Sequence, residues 1–290
     1  MKTGIGMKSI EMKSIGVKLG IGWKTICIMA CLCALIAGVA FAAEAADGAG
    51  TLDKIAKAGK IVIGSAPGYY PFEMIDKKGE FIGYDIDVGK AIAEALGVQV
   101  EFRQFEFAGL IPALQAGEID ILLAGMSITG KRALSVSFSN PYFETGQVLM
   151  VHKKDTETKS WKDLDKKGKK IATPQGQTSS LLAQAIVREA EILHFPTFPE
   201  TSLALVNGQV DGVIYDQPGI LVYEARNPDS VRGIYDLISL ENLGIACRLN
   251  DHSMVQWLNS FLFQYKGSPR EIASRTKWMV EIKEWLKEME

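Results

Sequence analysis

The apolar residues of the chain recur in two blocks of one alternation, separated by a charged, turn-rich stretch over 153–170. In the first block, Lys60-Ile-Val-Ile-Gly64 predicts a buried strand. Residues 84–96 carry apolar side chains at helical spacing and stop at Gly97, a residue suited to the left-handed turn that ends helices. A strand over 98–102, a short helix over 109–115 and a strand over 119–123 complete the block. The second block runs strand 170–173, helix 178–190, strand 192–195, helix 199–207 and strand 210–214. Strands alternating with helices predict an α/β fold, with parallel sheets covered by helices on both faces. Two such blocks predict two domains rather than one. From 251 to 290 the pattern is helical, and Trp257, Phe261, Trp278 and Trp285 read as packing residues.

Ahead of these blocks the composition changes. Lys2, Lys8, Lys13, Lys18 and Lys24 punctuate a Gly- and Ile-rich start, and an uncharged run follows over 25–43. Ala40-Phe41-Ala42 supplies the small-x-small pattern of a signal-peptidase site. Residues 1–42 are therefore expected to be a cleaved signal peptide, with Ala43-Glu44-Ala45 as a second candidate site. A membrane anchor fits less well, because the run is diluted with Ala and Gly and lacks a positive stop after it. Lipidation at Cys31 fits poorly too, since the apolar run continues far past it. Removal of this segment takes five lysines and Glu11 and moves the formal charge from −2 to −6. A mildly acidic protein without clustered Lys and Arg offers no nucleic-acid surface. Cys27, Cys31 and Cys33 leave with the signal, so Cys247 stands alone and no intrachain disulfide is expected. In the apolar run 243–247 it reads as a small buried thiol.

The stretch Ala124-Gly-Met-Ser-Ile-Thr-Gly-Lys-Arg132 concentrates the candidate binding chemistry. Ala124 and Gly125 let a ligand come close to the backbone, Ser127 and Thr129 offer hydroxyls, and the Arg132 guanidinium is a planar fork of donors matched to a carboxylate. Read more plainly, the same residues make a helix N-cap followed by a surface arginine. The second block favours the binding reading. Ala116-Gly-Glu-Ile-Asp-Ile-Leu-Leu123 is echoed by Asn207-Gly-Gln-Val-Asp-Gly-Val-Ile214, each a helix end, a glycine stop and a short strand. The first strand delivers Ser127 and Arg132, the second Tyr215 and Asp216. Ligands of open α/β sheets bind beyond the carboxyl ends of the strands, so both sets face one crevice, and a cation opposite an anion is a receptor for a zwitterion.

Tyr70-Pro-Phe-Glu73, Gly83-Tyr-Asp-Ile-Asp87, Gly109-Leu-Ile-Pro-Ala-Leu-Gln-Ala-Gly117, Asp120 through Arg132, Phe138-Ser-Asn-Pro-Tyr142 and Gly208-Gln-Val-Asp211 with Asp216 follow in an order spanning 52–290. In this the chain resembles the periplasmic solute-binding proteins of polar amino-acid ABC transporters, family 3 of the bacterial extracellular solute-binding proteins. The resemblance implies the type II periplasmic-binding-protein fold, two α/β lobes joined by two hinge strands. Lobe 1 would occupy 43–148 and 244–290 and lobe 2 149–243, with crossings near 146–152 and 240–246. It implies capture of a free amino acid by hinge closure and delivery to an ABC permease in the inner membrane, by a periplasmic monomer that needs no cofactor and no metal. Carried over by position, Arg132 receives the α-carboxylate with the Ser127 hydroxyl and backbone N–H groups near Ala124-Gly125, Ser127 and Thr178. Asp216 takes the α-ammonium, and Tyr69 and Phe107 sandwich the ligand side chain, whereas Phe72 and Phe105 read as core.

Two departures bear on specificity. Ala66 stands where many relatives with polar or cationic ligands carry an acid, and a charged side chain in a closed cleft needs a compensating anion. Gln177 stands where relatives often carry threonine, and it keeps a donor and an acceptor. An uncharged or amide ligand side chain is therefore expected, with Gln175, Tyr215 and Glu144 as further wall candidates. Some proteins on this fold are cyclohexadienyl dehydratases, and dehydration of prephenate or arogenate would need an acid such as Glu144 or Glu224. Neither lies in a motif that singles it out. His152, His194 and His252 lack metal-ligand spacing, and the sequence has neither a Gly-rich phosphate loop nor a serine nucleophile elbow, so no catalytic residue is expected. A receptor's sensor domain would need a membrane helix after the second lobe, and none is expected there.

Overall fold

In chain order the strands are β1 (Lys60–Ser65), β2 (Met74–Ile75), β3 (Phe81–Ile82), β4 (Gln99–Gln104), β5 (Ile121–Leu122), β6 (Val136–Phe138), β7 (Phe143–Thr145), β8 (Gln147–His152), β9 (Lys170–Pro174), β10 (Glu191–Phe195), β11 (Gly212–Asp216), β12 (Val231–Ile234), β13 (Glu241–Leu243) and β14 (Ala246–Arg248). They come from a computed structural model that describes residues 50–289; the expected signal peptide and Cys27, Cys31 and Cys33 lie outside the described residues. Two five-stranded sheets form, in the orders β4-β1-β5-β14-β6 and β10-β9-β11-β8-β12. Three strands of each are parallel, as the βαβ alternation requires. The remaining pairings are antiparallel because β14 in one sheet and β8 in the other run against all their neighbours, so the sheets are mixed rather than parallel throughout. The cause is the chain path: β8 and β14 are the strands by which the chain enters the second sheet and returns to the first.

Those two passages are paired. β7 and β13 form an antiparallel ribbon between the sheets, with Thr145 opposite Glu241 and Phe143 opposite Leu243. The ribbon over 143–145 precedes the 146–152 stretch, which instead supplies the buried strand β8. A bridge from Leu243 to Ser127 and a 2.8 Å hydrogen bond from the Ile128 N–H to the Asn242 carbonyl stitch the ribbon to the 124–132 stretch.

The echo between the two blocks is structural as well as sequential. Gly117 and Gly208 both end their helices in the left-handed conformation, at φ of 77° and 69°. Asp120 then accepts the Val62 N–H at 2.9 Å and Asp211 accepts the Lys170 N–H at 2.8 Å, so each aspartate braces its strand against the parallel neighbour. The helix predicted over 178–190 stops at Ile186, because Val187 turns extended and the Asp165 carboxylate collects the N–H groups of Arg188, Glu189 and Ala190. Leu110, Leu114, Leu122, Met126 and Val136 pack one sheet face, and Leu149, Val151, Ile171, Ala183 and Ile214 one face of the other. Trp278 and Trp285 are buried edge to face, and Trp278 also donates through Nε1 to Asp87 at 2.7 Å. Cys247 is fully buried, and burial pushes its thiol up to about 12, which leaves it inert.

Candidate functional site

The carboxyl ends of five parallel strands face one cleft. β1 runs into the loop carrying Tyr69, β4 leads to Phe107, β5 to Gly125 and Ser127, β9 to Gln177 and Thr178, and β11 ends on Asp216. Their side chains, with Arg132 and Tyr215, line one small cavity. Eight of the nine residues singled out from sequence meet there; Ala124 does not. It is fully buried in the core cluster of Leu110, Leu122 and Met126.

Arg132 fits both readings of its stretch. Thr129 caps the short helix Gly130–Ala133, accepting the Arg132 N–H at 3.2 Å, so the Thr129 hydroxyl serves the cap. The guanidinium nevertheless turns inward. Nη1 donates to the Ser127 carbonyl at 2.9 Å, the carbon lies 5.3 Å from the centre of the Phe107 ring, and Nη2 reaches the Gly176 carbonyl across the cleft at 3.5 Å. Phe107 therefore supports the cation as well as lining the cavity.

Asp216 is 6 % exposed. One of its oxygens accepts the Tyr69 hydroxyl at 2.6 Å and the other accepts Gln147 Nε2 at 2.9 Å. Burial pushes its pKa up to about 7, and the nearby Glu241 charge pushes the same way, while the Tyr69 hydrogen bond and Arg132 act against them. Among the described residues no cation forms an ion pair with this carboxylate at contact distance. Tyr69 joins the two sides of the cleft through that bond; its ring stacks on the fully buried Phe72 at 4.7 Å and meets Tyr215 edge-on at 5.8 Å. Tyr69 is thus mostly wall, not one leaf of a free sandwich. Thr178 opens the helix Thr178–Ile186, with its hydroxyl 3.4 Å from that of Ser127 across the cleft and 3.0 Å from Gln147 Nε2.

Gly125 lines the cavity but does not lend its N–H to it. That group donates to the buried Asp85 carboxylate at 2.8 Å, which also accepts the Tyr142 hydroxyl. Gly125 matters through what it lacks: at φ 53° a Cβ would stand 2.1 Å from Tyr69 Cε1, against a ring that cannot swing away. Gly125→Ala is expected to lower stability by about 2–4 kcal/mol, from the left-handed backbone plus overpacking, read as a drop of several degrees in the melting temperature of the unliganded protein.

A larger space adjoins this cavity, sharing Tyr69, Phe107, Gln177 and Tyr215. Ala66, Phe105, Gln175, Thr197 and Phe198 line it, with Glu106 as the one charged residue. Phe105 therefore leaves the role of pure core residue, and Phe198, which sequence reasoning missed, stacks on Tyr215 at 3.9 Å. Glu144 lies elsewhere, beside Pro141, Phe263 and Lys266, and Glu224 accepts the Tyr235 hydroxyl at 2.6 Å. Among the described residues no cluster of His, Cys, Asp and Glu is placed to hold a metal.

Residues 61–281 match the family model of the bacterial extracellular solute-binding proteins, family 3. The chain belongs to this family. This solute-binding protein is 31% identical over 240 residues to the ABC transporter arginine-binding protein 1 of Escherichia coli K12, covering 81% of this chain and 92% of that one. It is 35% identical over 207 residues to the glutamine-binding protein of Geobacillus stearothermophilus, covering 70% of this chain and 78% of that protein. Among solved structures, an ancestral amino acid-binding protein described as a precursor of cyclohexadienyl dehydratase superposes with a TM-score of 0.74 at 37% identity, over 79% of this chain and 99% of that one. The two-lobed type II fold expected from the sequence is the fold of these neighbours.

Proposed function

We propose that this solute-binding protein captures a free α-amino acid in the cleft between two lobes, closes over it by bending at the β7–β13 ribbon, and delivers it to a membrane ABC permease. What carries the reading is the convergence on one small cavity of Arg132, beyond the end of β5, and Asp216, at the end of β11. Arg132 with the Ser127 and Thr178 hydroxyls takes the α-carboxylate, and Asp216 takes the α-ammonium. Both are charge-assisted contacts in a water-poor space, and neither lobe can make both, so the zwitterion selects the closed form. We read residues 1–42 as the export signal that puts this capture in the periplasm, and the working unit as a monomer with lobe boundaries near 148 and 243.

The ligand side chain would extend from the Tyr69 and Phe107 rings into the larger space. Its walls carry amides, aromatic faces and one carboxylate, Glu106, with no Lys, Arg or His among them. Glu106 offers there the anion that Ala66 does not, so the reading admits amide and cationic side chains and excludes acidic ones. L-Glutamate should bind about ten-fold or more weakly than its isostere L-glutamine, measured by titration calorimetry on ligand-stripped protein.

Dehydratase chemistry has less support. Glu144 and Glu224, the acids a sequence reading could offer, do not line the cleft, and the solved relative of that lineage is named a binding protein. A thermal-shift screen of protein stripped by unfolding and refolding, against the twenty amino acids, prephenate and arogenate, decides between the readings. A ligand held by the native state raises the melting temperature with the logarithm of its concentration. Stabilisation by one or a few amino acids bears the proposal out; silence from all of them, with turnover of prephenate or arogenate, replaces it.

A further inference from the structure

Gln147, the first residue of β8, is not among the residues lining the small cavity or the larger space beside it, yet it touches two groups that line the smaller one. Its side chain is 1 % exposed, and Nε2 donates to Asp216 Oδ1 at 2.9 Å and to Thr178 Oγ1 at 3.0 Å. The amide orientation follows from chemistry: an ionised carboxylate only accepts, so the nitrogen must face it. Once the Thr178 oxygen accepts from Gln147, its own proton points away, and Ser127 across the cleft lies within 3.4 Å. The backbone holds Gln147 in place from both sides. Its carbonyl accepts the Ile238 N–H at 2.7 Å, and the Gly146 carbonyl accepts the N–H of Gln217, the residue after Asp216, at 2.9 Å. Gln147 Oε1 is buried with no partner among the described residues, so stability alone does not account for an amide here.

A neutral donor suits this position. A lysine or arginine would satisfy the Asp216 carboxylate and also cancel the charge that an ammonium needs; an amide fixes the carboxylate and leaves its charge free. The other groups facing Asp216 are Tyr69 from the β1–β2 loop, Arg132 from the helix Gly130–Ala133, Glu241 from the ribbon and Tyr215 from its own strand. None of them touches both Asp216 and Thr178 as Gln147 does.

We infer that Gln147 is a positioning residue that aims the Asp216 carboxylate and the Thr178 hydroxyl into the cleft together, so that the two ends of a zwitterion meet groups already oriented. The inference rests on the amino-acid reading above. Its test is titration of ligand-stripped wild type, Gln147→Leu and Gln147→Glu with L-arginine, L-histidine, L-lysine and L-glutamine from pH 5 to 9, with melting of each unliganded variant as the check on folding. Gln147→Glu keeps the length of the native side chain, and Gln147→Leu is one atom shorter and removes both polar ends. Gln147→Leu should weaken binding about ten- to a hundred-fold, and the pH at which capture is half lost should rise by about one unit, because the carboxylate has lost a donor. In Gln147→Glu the midpoint should rise further, since a second carboxylate opposes ionisation of the first. Unchanged affinity and midpoint overturn the inference, and so does weaker binding at an unchanged midpoint, which marks a packing role. Should Gln147→Leu not fold, the Gln147→Glu midpoint decides in the same way. A wild type that binds no amino acid overturns the binding reading itself, and this inference with it.

Discussion

Arg132→Ala abolishes amino-acid capture at ordinary concentrations while the unliganded fold survives. Removing one partner of a buried, hydrogen-bonded charge pair costs about 2–5 kcal/mol, a loss of roughly thirty- to several thousand-fold in affinity. Much of that loss is the cost of leaving the ligand carboxylate buried with no cation. The fold tolerates the change because the side chain is half-buried and its own partners are the Ser127 and Gly176 carbonyls. The Gly130–Ala133 turn keeps its Thr129 cap, which uses the Arg132 backbone and not its side chain. Calorimetric titration beside a thermal melt separates the two effects, and near-native affinity with an unchanged melt would remove Arg132 from the carboxylate site.

Capture weakens about ten-fold per unit of pH below neutrality and levels off above it. In the unliganded cleft burial holds the Asp216 carboxyl at a pKa of about 7, so below that pH a proton occupies the group that must receive the ammonium. Binding the ammonium stabilises the ionised form, so proton and ligand compete. Between pH 7 and pH 5 the affinity should fall roughly a hundred-fold. Stability runs the other way. Asp216 and Asp85, both held near 7 when folded, titrate near ~3.9 in an unfolded chain; their contribution is therefore full below that value and lost as pH rises through about 7. The unliganded protein should thus gain stability from these two groups as pH falls from 8 to 5, over the range in which ligand-induced stabilisation shrinks. Asp216→Asn should bind weakly at every pH and flatten the dependence. An affinity that stays constant from pH 5 to pH 8 in the wild type would contradict the role given to Asp216.

The pairing of Arg132 with Asp216 was legible in sequence because each follows a short apolar strand introduced by the same helix end and glycine stop, and the carboxyl ends of such strands share a crevice. The parallel strands were legible for a related reason, since each lies between helices whose 3.6-residue periodicity marks its limits. The antiparallel strands were not. The short apolar stretches at 147–152 and 246–248 say nothing of which distant strand will accept them, and the pairing of β14 with β5 joins segments more than a hundred residues apart. Buried polar partners were equally hidden. Asp85 was visible as part of a motif, but that it holds the Gly125 N–H depends on the return of β5 beside β1. Gln147 carried one faint signal, a polar residue opening the apolar run Val148-Leu-Met-Val151. Sequence spacing gave no sign that the Tyr69 hydroxyl would cross the cleft to Asp216.

The zwitterion clamp is tested most directly by titrating ligand-stripped wild type with the amino acid that stabilises it best, beside the decarboxylated amine and the Nα-acetyl derivative of that amino acid. Each analogue removes one end of the zwitterion and leaves the side chain intact. Both should bind at least roughly a hundred-fold more weakly, the amine for want of a partner for Arg132 and the acetyl derivative for want of one for Asp216. Comparable affinity for either analogue would mean that the corresponding residue does not hold the ligand.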